Sequence, residues 1–317
     1  MYNEELKTKF ISQYSEKIST KKTCVSVFTT CEPYEIKKNA DVCTMTTEEL
    51  QPIVEELLGV RISGQLNRLA VLKKYFQWCI DQHVEGATDG IFNVSIGTQG
   101  KVKAQMVSSP VHLQKYMDSF LQPESEHTLD DTYRCFFWLA FAGCPEEDAI
   151  NVQTGDVDFE NMVVHVGENE YPIYRESLQA FRNCVTQSWF MYIHPNYDKK
   201  VIKERGASNQ LLRGSKPEMS LKILRITISK NTAKALSDGL TQMRLSYFKT
   251  WLSGIFYRTY QLELAGVEPD FTDIAKYEMA GKVYKLDKSR NLVGALERRK
   301  NREYMEDYNR WKMAFVR

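Results

Sequence analysis

Residues 136–141 constrain the fold most, because all six are apolar. A helix that is apolar on every side must be buried by its neighbours, so this segment predicts the central helix of a domain. Two short β-rich runs follow at 157–159 and 162–166, and they predict a small hairpin. Residues 171–173 predict an edge strand, because Pro172 cannot donate a hydrogen bond to a central ladder. We predict that the remainder of this half is mainly helical.

The N-terminal part of the chain has helical patterning. Thr46 and Glu49 have the spacing of a capping box, and apolar residues follow at one-face helical intervals. Glycines cluster in residues 86–108, which favours a linker. The fold class we predict is mainly α with a small β-sheet. We expect a helical domain at 1–100, a linker at 101–109, and a second domain at 110–317 that ends in a highly charged helix.

Charge is distributed unevenly along the 317 residues, although the formal net charge is only +1. Residues 123–176 carry thirteen acids and two bases, whereas residues 199–234 carry ten bases and two acids. Such asymmetry predicts one face that binds a polyanion such as nucleic acid. The alternative is an unevenly charged, solvated surface.

Other site classes are disfavoured by the composition. The seven cysteines are odd in number and lack C-x-x-C spacing, so we expect reduced thiols, no zinc site and no disulfide framework. No window approaches the roughly 18 apolar residues of a membrane span. The charged N-terminal segment lacks the apolar run of a signal peptide. We therefore expect a cytoplasmic protein with no cofactor, no metal and no membrane partner.

Residues 142–152 and 155–159 resemble the first signature box of the tyrosine recombinase (phage integrase) family. In that family an arginine stands two residues after a glycine, before an acidic residue and an apolar helix. Here Gly143 is followed by Pro145. The family's phosphate-binding arginine is therefore replaced by a residue with neither charge nor backbone N–H.

Residues 240–250 resemble the second box, where the family has His-x-x-Arg. Arg244 stands at the arginine and Thr241 at the histidine. Further along, Lys282 occupies the place of the family's second histidine. The degenerate catalytic positions are thus Pro145, Thr241, Arg244 and Lys282.

The family's nucleophile and hairpin lysine are also absent from their expected places. No tyrosine lies between Tyr284 and Tyr304, and the turn after Val166 offers no lysine. Cleavage needs a tyrosine oxygen to attack phosphorus, two arginines on the phosphate, and a lysine and histidine to move protons. We therefore predict no enzyme activity. The alternative is an active integrase with divergent motifs, for which Tyr284 is the substitute nucleophile.

The resemblance implies a helical, SAM-like core-binding domain followed by a degenerate recombinase-like catalytic domain that still binds double-stranded DNA. Gln65, Asn67 and Arg68 are candidates for reading base edges, with an exposed helix face as the alternative. For Arg244 the alternative to phosphate binding is a structural ion pair. The DNA-binding residues that we predict are Lys21, Lys22, Gln65, Asn67, Arg68, Lys73, Lys74, Lys199, Lys200, Lys203, Arg205, Arg213, Lys216, Lys222, Arg225, Arg244, Lys282 and Lys285.

Over the whole chain the sequence is similar to the lysogeny repressors that SPβ-like Bacillus prophages build on an integrase scaffold. This implies a sequence-specific transcriptional repressor that binds an operator in the nucleoid of a bacterial host and maintains lysogeny. It also implies a possible homo-oligomer through the C-terminal helix, although that helix can instead dock within its own chain. An accessory protein that recruits a partner through the acidic segment is a further alternative.

Overall fold

The computed structural model describes residues 1–57, 62–94, 99–124, 127–194, 199–215, 219–283 and 290–316. The α-helices in these ranges are α1 (Glu4–Tyr14), α2 (Ile18–Lys38), α3 (Thr47–Leu57), α4 (Ile62–Asp81), α5 (Gln99–Gln105), α6 (Pro110–Asp118), α7 (Asp130–Ala142), α8 (Glu146–Ala149), α9 (Leu178–Thr186), α10 (Leu221–Ser237), α11 (Tyr247–Leu264), α12 (Thr272–Val283) and α13 (Arg290–Phe315). The strands are β1 (Val157–Asp158), β2 (Val163–Val166), β3 (Asn169–Pro172), β4 (Trp189–His194) and β5 (Lys199–Glu204). The predicted fold class, mainly α with a small β-sheet, is confirmed.

The chain forms two compact units. Unit 1 contains Met1–Val102 together with Asp270–Arg317, and unit 2 contains Lys103–Pro269. The first boundary falls inside the predicted linker, part of which is helix α5. The second boundary differs from the prediction of one domain over 110–317, because the last segment groups with the N-terminal residues. In that segment α13 packs on α12 and also contacts α4, and Tyr304 and Tyr308 bury their rings beside Phe271.

Unit 1 is built around the amphipathic helices α1 to α4. Phe28 and Tyr75 meet edge to face in its core, with ring centroids 4.8 Å apart. The predicted capping box begins α3: Glu49 N–H donates to Thr46 Oγ1, and Thr46 N–H donates to Glu49 Oε2. The Lys7 ammonium is fully buried and pairs with Glu35 at 2.5 Å, so burial of this charge is compensated inside the unit.

Unit 2 is organised by α7, which is buried from Asp131 to Ala142 as the run of apolar residues predicts. Helix α11 packs directly against it. The two backbones meet at Gly254, where a Cβ atom would lie 1.8 Å from the carbonyl oxygen of Phe141. Only glycine allows this approach, because any side chain would overlap the backbone of α7.

The sheets of unit 2 confirm one prediction and correct another. Strands β1, β2 and β3 form an antiparallel sheet in that order, with Pro172 on the edge strand as predicted. The expectation of mainly helix beyond this sheet is wrong for β4 and β5, which form an antiparallel hairpin. Phe190 on β4 is 2% exposed, so its burial in the unit stabilises strand pairing that the lysine-rich sequence does not suggest.

A buried polar cluster lies beside the first turn of α7. The Asp131 side chain is 1% exposed and accepts a hydrogen bond from Asn183 Nδ2 at 3.1 Å. The Arg205 guanidinium is also buried and donates to Thr132 Oγ1 at 3.0 Å. Burial raises the pKa of Asp131 to about 7, although the Asn183 hydrogen bond and the charge of Arg205 act in the opposite direction.

Within the described residues, no helix combines the length and apolar character that a bilayer crossing needs.

The α7–α11 contact predicts that Gly254→Ala destabilises the protein. Alanine favours a helix interior by up to about 1 kcal/mol, but the clash with the Phe141 carbonyl should cost about 3 kcal/mol and dominate. Urea denaturation followed by tryptophan fluorescence measures the change in the free energy of unfolding. Gly155→Ala is the matched control, because its Cβ meets no atom within 4 Å. Equal stability of the two variants would refute the contact.

The raised pKa of Asp131 predicts a pH-dependent stability. A carboxyl group with a higher pKa in the folded state binds a proton more tightly when folded, so its contribution is present below pH 3.8 and is lost as pH rises to about 7. Asp131→Asn removes this titration. The variant should therefore gain stability relative to the parent as pH rises from 4 to 7, as measured by urea midpoints. A difference that stays constant over this range would contradict the assignment.

Candidate nucleic-acid interface

The two signature boxes meet in unit 2, although they lie about a hundred residues apart. The Tyr247 hydroxyl donates to the Cys144 carbonyl oxygen at 2.8 Å. Trp251 Nε1 donates to the Gly143 carbonyl oxygen at 3.0 Å. These bonds attach the start of α11 to the end of α7. The first box is thereby held against the start of α11, where the second box ends.

A cavity of about 270 Å³ opens at this junction, and we call it the Arg244 cleft. Its walls come from α7, α8, α10 and the first turn of α11. The lining residues are Phe136, Glu146, Arg225, Ile228, Ser229, Thr232, Arg244, Leu245, Ser246, Tyr247, Phe248 and Lys249. The set combines three cationic side chains and one carboxylate with an apolar floor.

Arg244 is exposed at the rim of this cleft. Its backbone N–H donates to the Ala104 carbonyl oxygen at 3.1 Å, and its own carbonyl oxygen accepts from Lys249 Nζ at 3.4 Å. No described residue forms a hydrogen bond or an ion pair with its guanidinium. The geometry therefore favours an external anion over the alternative of a structural ion pair.

The first box carries an acid into the cleft in place of the family's arginine. Pro145 precedes the short helix α8, and its carbonyl oxygen accepts from the N–H groups of Asp148 and Ala149. Glu146 follows and binds the Arg225 guanidinium through both carboxylate oxygens, with Nε to Oε1 at 2.8 Å. The hydrogen bond to Glu146 raises the pKa of Arg225. The positive charge of Arg225 on this wall is therefore partly neutralised by Glu146.

Two hydroxyl groups of the second box are described, those of Thr241 and Tyr247, and each is engaged in a hydrogen bond. Thr241 Oγ1 accepts from the Met243 N–H at 3.1 Å, so this hydroxyl supports the turn before Arg244. Tyr247 lines the cleft, but burial raises its pKa well above the ordinary value. Tyr284 and the side chain of Lys282 lie outside the described residues.

The predicted DNA-binding residues in the N-terminal part of unit 1 lie on helices α2 and α4. Lys22 and Lys74 are exposed, whereas Lys21 and Lys73 are half-buried. The Lys74 ammonium lies 5.3 Å from the ring centroid of Tyr14 on α1. These helices therefore present several cations on the same small unit.

The residues proposed to read bases have different surroundings. Asn67 is exposed. Arg68 is partly engaged, because its Nη1 donates to the Leu57 carbonyl oxygen at 3.1 Å and so holds the end of α3. The side chain of Gln65 lies outside the described residues, as do those of Lys199, Lys216 and Lys285.

Unit 2 presents some of the predicted cations and buries others. Lys200 and Lys203 on β5 are exposed, as is Lys222 on α10. The prediction of Arg205 as a DNA contact is wrong, because it is 6% exposed and donates to Thr132 and to the Arg213 carbonyl oxygen.

Arg213 is likewise a structural group. Its guanidinium donates to the carbonyl oxygens of Ser208, Cys184 and Gln187, and thereby satisfies acceptors at the end of α9. Burial lowers its pKa. Arg225, which was also predicted to bind DNA, is exposed but paired with Glu146.

Sequence reasoning missed Glu146, Lys249 and the apolar floor of the cleft. Lys249 lies within the second box, three residues after Ser246, which caps α11. This spacing places Lys249 in the first turn of the helix, and it was a signal in the sequence that Lys249 belongs to the cleft. The role of Glu146 had no local signal, because its partner lies 79 residues away. Among the residues described, no three His, Cys, Asp or Glu side chains gather as metal ligands.

The chain is similar to a solved structure of the Tn1549 transposon integrase in complex with circular intermediate DNA, with 13% identity, a TM-score of 0.35, and coverage of 92% of this chain and 94% of that one. It is also similar to the lambda integrase tetramer bound to a Holliday junction, with 10% identity, a TM-score of 0.34, and coverage of 93% and 76%. No curated protein sequence matches. Residues 1–82 match the family model described as MrpR, N-terminal core-binding domain.

The family assignment therefore rests on the N-terminal part of unit 1, where the helices α1 to α4 lie. It confirms the resemblance to recombinase-type core-binding domains that the sequence predicts. Residues 1–82 are therefore similar to the N-terminal core-binding domain that this model describes.

Proposed function

We propose that this protein is a sequence-specific transcriptional repressor that binds double-stranded DNA on a recombinase scaffold and does not cleave it. Its role is to keep prophage genes silent during lysogeny, in the nucleoid of a bacterial host. The observation that supports this best is the Arg244 cleft. It retains the exposed Arg244, and its lining also carries the carboxylate of Glu146, which pairs with Arg225.

Strand cleavage requires several groups to act on one phosphate. A tyrosine oxygen attacks phosphorus, cations stabilise the charge on the non-bridging oxygens, and an acid protonates the departing 5′ oxygen. In the cleft, Tyr247 is buried with its hydroxyl proton directed at Cys144, and Glu146 adds negative charge. Loss of one such donor typically costs roughly 10²–10³-fold in rate. Loss of several together leaves binding without turnover.

DNA binding itself is supported by cations that the fold leaves exposed. Lys22 and Lys74 in unit 1 and Lys200 and Lys222 in unit 2 are exposed to solvent, as a phosphate contact requires. Such contacts give affinity without sequence information, whereas a few side chains that reach base edges give specificity. In unit 1, Asn67 is exposed and has the chemistry to read adenine.

The C-terminal helix gives no support for a homo-oligomer. Tyr304, Tyr308 and Trp311 on α13 are buried within unit 1 of their own chain. Assembly of copies through this helix stays a prediction.

The repressor proposal predicts operator binding without a covalent intermediate. Mapping of bound DNA in a host that carries the protein should return a short recurrent sequence. A nicked suicide substrate built on that sequence should bind and yield no protein–DNA adduct on a denaturing gel. An adduct that disappears in Tyr284→Phe would instead establish the active integrase. Equal affinity for operator and random DNA would favour the accessory interaction protein.

The exposed hairpin cations predict a change in salt dependence. The double variant Lys200→Ala, Lys203→Ala should bind the operator more weakly, and the slope of log K against log salt should flatten by about 0.9 for each lost phosphate contact. Lys115→Ala removes one exposed positive charge elsewhere in unit 2 and is the control, for which we expect an unchanged slope. An unchanged slope in the double variant would remove β5 from the interface.

A further inference from the structure

The Arg244 cleft has properties that DNA backbone contact does not require. Its floor is apolar and nearly inaccessible: Phe136 is 1% exposed, Leu245 2% and Ile228 6%. A phosphate on a duplex is bound at the surface and needs cations, but it gains nothing from an apolar floor behind them. The cavity volume of about 270 Å³ is near the lower end of the roughly 300–1,000 Å³ of small-molecule sites.

The cations of the cleft are arranged on two walls. Arg244 lies in the loop before α11, Lys249 lies in the first turn of α11, and Arg225 lies on α10. Arginine guanidinium groups bind phosphate oxygens with paired, charge-assisted hydrogen bonds. The guanidinium of Arg244 has no hydrogen-bond or ion-pair partner in the described part of the chain, and that of Arg225 is 56% exposed beyond its bond to Glu146. One phosphate group between them would be neutralised from both sides.

An aromatic group at the mouth of the cleft suits the remainder of such a ligand. The Phe248 side chain is 45% exposed, which is unusual for a phenyl ring beside a cavity. Its ring stacks on Trp251 with centroids 5.8 Å apart and an interplanar angle of 26°. The stacked pair offers a flat surface on which a planar group can stack.

We propose that the Arg244 cleft is a binding site for a phosphate ester that carries a planar group, with a mononucleotide as the fitting size. The phosphate lies between Arg244 and Arg225, and the planar group lies on Phe248. The same chemistry is present in a free nucleotide and in a nucleotide of bound DNA. The depth of the apolar floor favours the free molecule.

Glu146 controls the affinity of this site. Its carboxylate accepts hydrogen bonds from Arg225 through both oxygens, and the side chain is 18% exposed. It therefore neutralises part of the positive charge that would attract a phosphate. A bound phosphate must therefore compete with an internal carboxylate. This competition makes the cleft selective for doubly charged phosphate esters over singly charged carboxylates, because the ligand must exceed the charge of the group that it displaces.

The test uses AMP as the probe, titrated into the full chain without DNA by isothermal calorimetry. We expect saturable binding with a Kd of about 1 mM or tighter. Inorganic phosphate, which lacks the planar group, and adenosine, which lacks the phosphate, should each bind more weakly. Arg244→Ala should weaken AMP binding roughly tenfold or more, as loss of a charge-assisted hydrogen bond requires. Glu146→Gln should tighten it by roughly two- to fivefold.

The matched control is Lys234→Ala. It removes an exposed cation that lies on α10, the helix of Arg225, but outside the lining of the cleft. Its AMP affinity should equal that of the parent. Absence of saturable AMP binding up to about 10 mM, or an Arg244→Ala variant that binds AMP as tightly as the parent, would overturn the proposal.

A second arm separates the free nucleotide from DNA as the source. If DNA supplies the phosphate, AMP will not bind the free protein and Arg244→Ala will weaken operator binding alone. That result overturns the free-ligand site and leaves the repressor function standing. Because the calorimetric arm contains no DNA, failure of the proposed repressor function would not affect it.

Discussion

The close approach of α7 and α11 at Gly254 is the constraint on which unit 2 depends. The two helices carry the two signature boxes at their ends, and the helix backbones can meet only where one of them has no side chain. Once they meet, Tyr247 and Trp251 reach the carbonyl oxygens that end α7. A functional surface is thus built from segments that are distant in sequence, and its position is set by packing in the core.

The charge of the cleft follows from one substitution in its first box. Pro145, at the position where the sequence resemblance predicts an arginine, precedes a short helix, and the next residue directs a carboxylate at Arg225. Among the residues that the structure describes around the cleft, no carboxylate forms an ion pair with Arg244. A centre that would otherwise concentrate positive charge on one phosphate is therefore partly neutralised from within. Both proposals follow from this balance of one internal anion against three cations.

Local patterns predicted the parts of the fold that depend on local forces. The all-apolar run marks α7, the Thr46–Glu49 capping box begins α3, and alternation with an edge proline marks β1 to β3. The β4–β5 hairpin was missed, because pairing across the hairpin and burial of Phe190 outweigh the local sequence preference. Spacing found Arg244 in the candidate site. It could not show that Arg205 and Arg213 turn inward, because their acceptors are backbone carbonyls supplied by the tertiary fold.

The grouping of residues 270–317 with residues 1–102 has a consequence for how the polypeptide matures. A ribosome releases the N-terminal helices first, and they contain their own apolar core from Phe10 to Ile91. Their surface for α13 stays uncovered until α13 (Arg290–Phe315) has itself been synthesised. Unit 2, which is continuous in sequence, is synthesised in the interval. The core of unit 1 is therefore completed only after unit 2 has been synthesised. A chain that is truncated before α13 would leave the α13-contacting surface of the N-terminal helices exposed to solvent.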